Sequence, residues 1–188
     1  VNRNKTTAWW DLTVPEDRAA ALDLVLSCDI LVENFAPGTM ARFGLDHATV
    51  AALNPGIIYT SITGFGPAAG ATMPGYDLLV QAMGGLMSIT GPSPDQPTKV
   101  GVALVDVLTG LHATVGILAA LAERTRTGQG QAVSVNLLSS TLSALVNQVQ
   151  GVIGAGAVPH AMGNAHPSIA PYETLATADG TCLLYTSD

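Results

Sequence analysis

The sequence predicts an α/β fold in which short parallel strands alternate with helices. A short apolar run at 30–32, a β-branched stretch at 57–63 and an alternating segment at 133–137 read as strands. Segments with helical start and stop signals lie between them. The chain has 188 residues, 48% of them hydrophobic, with a mean hydropathy of +0.38. That is enough apolar material for a real core, one enclosed in a larger folded body or covered by a partner.

Taken in order, 8–12 reads as a short strand. Thr13-Val14-Pro15-Glu16 reads as a capping box, with Thr13 at the cap and Glu16 three residues on. The helix that follows runs to residue 27, with Ala19, Leu22, Val25 and Leu26 on one face. The strand at 30–32 ends at Glu33-Asn34, and Pro37-Gly38 turns the chain. Thr39 caps a short helix to Phe43, and Asp46 caps another that ends before Asn54-Pro55. After the strand at 57–63, Gly64-Phe65-Gly66-Pro67 makes a loop. Residues 76–87 read as a helix with Gly84-Gly85 near its end, and the proline-rich 90–99 as loop.

The strongest helical signal spans 107–126: Asp106 at the cap, Arg124 and Arg126 in the last turn, Gly128 as the stop. Its middle is apolar nearly all round, which predicts a buried helix. A strand at 133–137 and a helix over 139–152, closed by glycines at 154 and 156, complete the pattern.

Charge and motif content exclude several functions. Seven basic against fourteen acidic residues give a net charge of −7, which argues against a nucleic-acid face. The four histidines lack metal-ligand spacing, so no metal is expected. Cys28 and Cys182 form no CxxC, which points to a reducing cytoplasm. No signal-like segment opens the sequence, and no apolar run is expected to reach the roughly 20 residues that span a bilayer, because His112, Asn147, Gln148 and Gln150 interrupt the candidates. Gly64-Phe65-Gly66 with Gly70 misses the dinucleotide fingerprint and holds Pro67 where a helix should open. There is no G-x-S-x-G.

Two readings of Asp106 stay open on pattern alone. Asp is a favoured cap. The same position, at the positive end of a helix and among Val105, Val107 and Leu108, also suits a carboxylate nucleophile of limited hydration. Arg42 and Asn2-Arg3-Asn4-Lys5 are either solvated polar residues or anion partners.

An ordered set of motifs separates these readings. Asn2-Arg3-Asn4-Lys5, Val32-Glu33-Asn34-Phe35-x-Pro37-Gly38, Leu53-Asn54-Pro55, Ser61-Ile62-x-Gly64-Phe65-Gly66 and Pro74-Gly75-Tyr76-Asp77 are followed by Val100-Gly101, Asp106-x-x-Thr109-Gly110, Gly116-Ile117-Leu118-Ala119-Ala120-Leu121 and Arg126-Thr127-Gly128-x-Gly130-Gln131. Together they resemble the class III CoA-transferase (CaiB/BaiF) family, which holds formyl-CoA and carnitine CoA-transferases and the α-methylacyl-CoA racemases. The likeness runs from Val1 to about Gly180, and 181–188 reads as atypical.

The resemblance implies a Rossmann-like large α/β domain, present without parts at both ends. Residues 1–158 would belong to the CoA-binding domain, and 159–188 to a linker and the start of a smaller domain. It implies transfer of coenzyme A from an acyl-CoA to a carboxylic acid, with Asp106 forming an aspartyl anhydride and then an aspartyl-CoA thioester. Asn34 and Arg42 match CoA-contacting positions, and Tyr76 matches a tyrosine near the thioester end. CoA enters as substrate, with no tightly bound cofactor. The implied assembly is an interlocked homodimer in the cytoplasm, without nucleic acid or membrane. Racemases place His-Asp where this sequence has Tyr76-Asp77, and a phenol, ionising near pH 10, is a poor base at neutral pH. The alternatives are a racemase or a non-catalytic CoA-binding or dimerisation module. His166, in Gly163-Asn164-Ala165-His166-Pro167, reads as a loop histidine.

Overall fold

A computed structural model describes residues 2–183. They form two compact units: residues to Pro74 together with Thr109–Asn136, and Gly75–Leu108 together with the residues from Leu137 onward.

The first unit is built on three parallel strands, β1 (Ile30–Glu33), β2 (Ile58–Thr63) and β3 (Ala132–Asn136), in the order β1-β2-β3. Val32 stands beside Thr60 and Thr60 beside Val133. Because side chains alternate between sheet faces, Tyr59 and Val133 point opposite ways. Tyr59 packs with Val25 of helix α1 (Pro15–Ser27) and Val50 of helix α3 (His47–Leu53). The short helix α2 (Thr39–Arg42) adds Met40 to a cluster with Ala21 and Leu45. On the other face, the long helix α5 (Leu104–Thr127) lies so close that a Cβ on Gly116 would stand 2.7 Å from Val133 Cγ1.

Three polar ties hold this sandwich in register. Asn54 Nδ2 donates to the Leu26 and Cys28 carbonyls, each at 3.2 Å, joining the end of α1 to the entrance of β2. Arg124 donates to the Gly56 carbonyl at 3.0 Å and pairs with the Asp29 carboxylate at 3.0 Å, anchoring the last turn of α5 beside the starts of β1 and β2. The Gly130 N–H donates to the Pro55 carbonyl, and a Cβ there would lie 1.8 Å from the Ile57 carbonyl oxygen. Only glycine allows the two backbones to approach that closely.

The second unit contains helix α4 (Asp77–Met83), a 3-10 turn (Met87–Ile89), the first turn of α5, helices α6 (Leu137–Ala144) and α7 (Val146–Ala155), and the antiparallel hairpin of β4 (Thr174–Thr177) with β5 (Gly180–Leu183). Helix α4 packs on α6. Of the atypical stretch 181–188, residues 181–183 belong to β5 and residues 184–188 lie outside the described residues.

Several expectations need correction. Residues 8–12 form no strand, since no ladder partner lies beside them, and Trp9 is exposed. Val14 rather than Thr13 caps α1, and the Thr13 hydroxyl instead donates to Asp11. Helix α4 stops at Met83, and Gly85 has a positive φ of 85°. The expected helix over 139–152 is two helices, broken at Val146, whose φ of 40° is strained for a β-branched residue.

Helix α5 departs most. It begins at Leu104, so Asp106 is its third residue and not its cap. It is also far from wholly buried: Val107, Leu111, Val115 and Leu118 are each more than half exposed, and successive members lie three or four residues apart on one helix face. Over an 18-residue window its mean hydropathy is 1.8, so by length and composition it is long and apolar enough to cross a membrane, contrary to expectation. His112 does not interrupt it, because one imidazole leaves the surrounding window apolar.

Candidate functional site

The start of α5 poses a local problem. The first N–H groups of a helix have no intrahelical acceptor. Ala103, whose carbonyl accepts the first helical bond from the Val107 N–H, has no side-chain oxygen to offer them. Asp77 supplies what is missing: its Oδ1 accepts the Val105 N–H at 2.8 Å, across 28 residues of sequence. The cap of this helix comes from another helix.

Asp77 is itself held. Its Oδ2 accepts from Gln81 Nε2 at 2.6 Å, and Gln81 Oε1 accepts the Val100 N–H at 2.9 Å. Since Asp77 and Gln81 are four residues apart on α4, their side chains meet on one face. Val100 contributes a backbone donor, which sets the orientation of the Gln81 amide. Nε2 must then face Asp77, so both Asp77 oxygens act as acceptors, the role of an ionised carboxylate. Gln81 is fully buried, 0% exposed, with both ends of its amide satisfied.

Asp106 follows Val105 directly and is open to solvent. Partial desolvation by its apolar surroundings and, second, the negative charge of Asp77 raise its carboxyl above the ordinary 3.8. A helix N-terminus by itself favours the anion; burial and the neighbouring charge act in the opposite direction. The result is a solvent-reachable carboxylate of raised basicity on a rigid, externally capped helix turn. Such a group can attack an activated carbonyl.

Tyr76 precedes Asp77 at the cap position of α4 in extended conformation, and its side chain is 70% exposed. Asn34 and Arg42 belong to the first unit, whereas Tyr76 and Asp106 belong to the second. Asn34 is exposed just beyond β1, and the exposed Arg42 places its guanidinium 5.3 Å from the centre of the Phe43 ring.

The first unit also holds an open pocket of about 280 Å³ at the carboxyl ends of its parallel strands, where open α/β sheets bind ligands. Ser61, Thr63 and Ser134 line it together with Glu33, His47 and Tyr59. Tyr59 donates to the Leu45 carbonyl at 2.8 Å. Burial, with Glu33 and Asp46 nearby, pushes its phenol up to about 12. The His47 and Tyr59 rings meet edge to face at 5.6 Å. Neither Asn34 nor Arg42 lines the pocket, although Glu33, Phe35 and Ala41 beside them do.

His166 is a loop-ordering residue: its Nδ1 accepts from the Ser168 and Ile169 N–H groups at 3.1 and 3.0 Å. Among the described residues, no cluster of three His, Cys, Asp or Glu is placed to hold a metal. Sequence reasoning missed the roles of Asp77 and Gln81. The available signal was an amide four residues after an acid in an otherwise apolar seven-residue helix.

Comparison with known proteins gives one consistent result. The family model described as "CoA-transferase family III" matches residues 1–187, past Gly180, where the motif resemblance was expected to stop. The chain is 44% identical, over 97% of its length and 46% of the relative's, to a succinate–glutarate CoA-transferase of Agrobacterium fabrum. It is also 44% identical, over 96% of its length and 47% of the relative's, to a succinyl-CoA:mesaconate CoA-transferase of Haloarcula hispanica. The crystal structure of a CaiB/BaiF family protein from Brucella suis superposes with a TM-score of 0.87 at 42% identity, covering 96% of this chain and 48% of that one. The chain thus spans about half the length of the relatives it matches.

Proposed function

The chain belongs to CoA-transferase family III, and from that premise we propose that the whole protein moves coenzyme A from an acyl-CoA to a free carboxylic acid, with Asp106 as the carboxylate that exchanges acyl groups. The observation that carries this reading is the placement of Asp106: reachable, raised in basicity, and fixed on a turn whose first N–H is capped by Asp77.

In the proposed cycle, an Asp106 carboxylate oxygen attacks the thioester carbonyl of the donor. The C–S bond breaks, leaving a mixed anhydride and the CoA thiolate. The thiolate attacks the aspartyl carbonyl of that anhydride, forming aspartyl-CoA and releasing the donor acid as a carboxylate. The acceptor carboxylate then attacks the aspartyl thioester, giving a second anhydride and thiolate. Attack of the thiolate on the acceptor's carbonyl yields the new acyl-CoA and restores Asp106. Every step exchanges one acyl derivative for another, so the activation of the thioester is kept from water. The names of two relatives, a succinate–glutarate and a succinyl-CoA:mesaconate CoA-transferase, make succinyl-CoA the first donor to offer.

For the coenzyme we propose Asn34, Arg42 and Tyr76 as contacts, Arg42 toward phosphate. The pocket at the strand ends supports a nucleotide-like ligand: its hydroxyls and rings suit an uncharged, hydrogen-bonding portion, while Glu33 would repel a phosphate. CoA is then a substrate, with no tightly bound cofactor. We further propose that residues 1–158 belong to a CoA-binding domain and 159–188 lead into a smaller one, in an interlocked homodimer. The exposed apolar stripe on α5 supports burial in such a larger body. A cytoplasmic location, without nucleic acid or membrane as partner, completes the reading; the net charge of −7 supports the first of these exclusions.

The decisive experiment uses the complete gene product. It is incubated with succinyl-CoA and other acyl-CoAs, quenched with hydroxylamine, and its peptides are mapped by mass spectrometry. A hydroxamate on Asp106 is expected. Unmodified Asp106 with every donor, together with rapid exchange of the α-proton of a 2-methylacyl-CoA in heavy water, would establish a racemase instead. Unmodified Asp106 without proton exchange, but with retained CoA binding, would leave a binding module.

A further inference from the structure

We propose that Gln81, a residue no catalytic scheme requires to touch substrate, is a positioning residue for Asp106: its buried amide holds Asp77 in the orientation that caps α5 and sets the charge beside the reacting carboxylate. The inference rests on the reading of Asp106 given above and adds to it the part that keeps Asp106 in place.

The argument is one of donors and acceptors. The Val100 N–H donates to Gln81 Oε1 at 2.9 Å, Gln81 Nε2 donates to Asp77 Oδ2 at 2.6 Å, and the Val105 N–H donates to Asp77 Oδ1 at 2.8 Å. The chain of bonds therefore runs from the loop before α5, through α4, to the residue adjoining Asp106. Gln81 takes its amide orientation from the Val100 N–H, a backbone donor that cannot reverse. A fully buried amide satisfied at both ends is costly to disturb. An apolar residue of the same size would fill the space and leave Asp77 Oδ2 without this donor.

The ionisable groups around Gln81 are few. Asp77 is in direct contact and Asp106 lies beyond it. Lys99 donates its Nζ to the Val100 carbonyl at 3.3 Å. Helix α6 and the 3-10 turn, which also pack on α4, contain no ionisable side chain.

This sparseness makes Gln81→Glu diagnostic. The new carboxyl can still accept from Val100. When protonated it donates to Asp77 Oδ2 as the amide does; when ionised it presents a second negative charge to that oxygen. Two such carboxylates share a proton until their upper apparent pKa, which is raised by their proximity. Gln81→Met removes the donor at every pH and adds no charge.

The experiment compares the complete wild-type protein with both variants, measuring kcat and KM for CoA transfer between about pH 6 and about pH 8.5, together with amide exchange at Val100 and Val105. For Gln81→Glu, kcat relative to wild type should fall about ten-fold or more as pH rises across this range, KM for the acyl-CoA should change less than about three-fold, and Val105 should lose protection in step with activity. Gln81→Met should be slowed by a factor that does not vary with pH, and should lose Val105 protection throughout. If Gln81→Glu fails to fold, Gln81→Met alone decides through that amide. A flat pH ratio, or full Val105 protection in either variant, overturns the proposal. If wild type transfers no CoA, the proposed function fails, while amide exchange still decides whether Gln81 holds the cap.

Discussion

Asp77 Oδ1 accepts the Val105 N–H at 2.8 Å, so a carboxylate in the first turn of one helix caps the first turn of another. The residue after Val105 is Asp106. Two acids are thereby joined through one backbone step, one committed to structure and the other open to solvent. Desolvation, and second the charge of Asp77, raise the carboxyl of Asp106.

Asp77→Asn tests that division of roles. With Gln81 oriented by Val100, an asparagine amide must turn its NH2 either toward Gln81 Nε2 or toward the Val105 N–H, and one of the two bonds is lost. Stability should fall by about 1–3 kcal/mol, as for other buried groups left without a partner. Removing the charge should also move the acid limb of kcat/KM to lower pH. Desolvation remains the larger cause of the raised Asp106, so the limb should stay above the ordinary 3.8. Urea unfolding and a pH–rate profile measure the two effects; an acid limb displaced upward would refute the electrostatic coupling.

Asp106→Asn should abolish CoA exchange by several orders of magnitude, as expected when a nucleophile is removed, and leave the fold intact. Its effect on stability has a definite sign. The folded protein holds a proton on Asp106 more tightly than the unfolded chain does. The favourable contribution is thus present at low pH and is lost as pH rises through the raised folded-state value. At neutral pH the neutral amide should be as stable as wild type or more so, which thermal unfolding at two pH values will show.

Arg42 should act on binding alone. In Arg42→Ala, KM for the acyl-CoA should rise about ten- to a hundred-fold with kcat little changed, the loss expected for one charge-assisted contact to phosphate. Initial-rate kinetics suffice. A fall in kcat at constant KM would move Arg42 out of the coenzyme site.

Gly130→Ala places a methyl where the Ile57 carbonyl oxygen stands only 1.8 Å away. The backbones must separate, at the expense of the Gly130 N–H bond to Pro55. Destabilisation of about 3 kcal/mol or more is expected from such overpacking. Chemical denaturation checks it, and a loss below about 1 kcal/mol would mean the approach relaxes freely.

Thr60 offers the opposite sign. It is fully buried in β2, and its Oγ1 has no hydrogen-bond partner among the described residues. Thr60→Val keeps the shape and removes the unsatisfied hydroxyl, so stability should rise by about 1 kcal/mol.

The three parallel strands, most helices and the family itself could be read from the residues in order, whereas the β4–β5 hairpin was not foreseen and the strand expected at 8–12 does not form. Short β-branched runs between turn residues mark β1 and β2 because that composition at that length suits a strand, although Val32 of β1 is half exposed. Asp46 was legible as a cap because its acceptor and the Thr49 N–H it takes are three residues apart, and local spacing encodes local bonds. Asp106 was legible as lying in the first turn of a helix but not as its third residue, since it was expected at the cap; the motif around it pointed to the family.

Tertiary structure decided the rest. The true cap of α5 sits 28 residues before the group it serves, and Gln81 reaches 19 residues forward to Val100. No periodicity reports bonds of that span, since they depend on which faces of α4 and α5 meet. The same holds for exposure: a helix middle apolar nearly all round predicted a buried α5, yet Val107, Leu111, Val115 and Leu118 lie open in the described structure. Composition states what a helix can bury, and only the packing of the remaining chain determines which of its faces is covered. The sequence by itself thus settled the parallel strands, most of the helices and the family, and it singled out Asp106 as the candidate carboxylate, because those signals are local or carried by motifs. The fold alone chose the partners that cap the helix beside Asp106 and set a charge near it, because those contacts exist only once distant segments have packed.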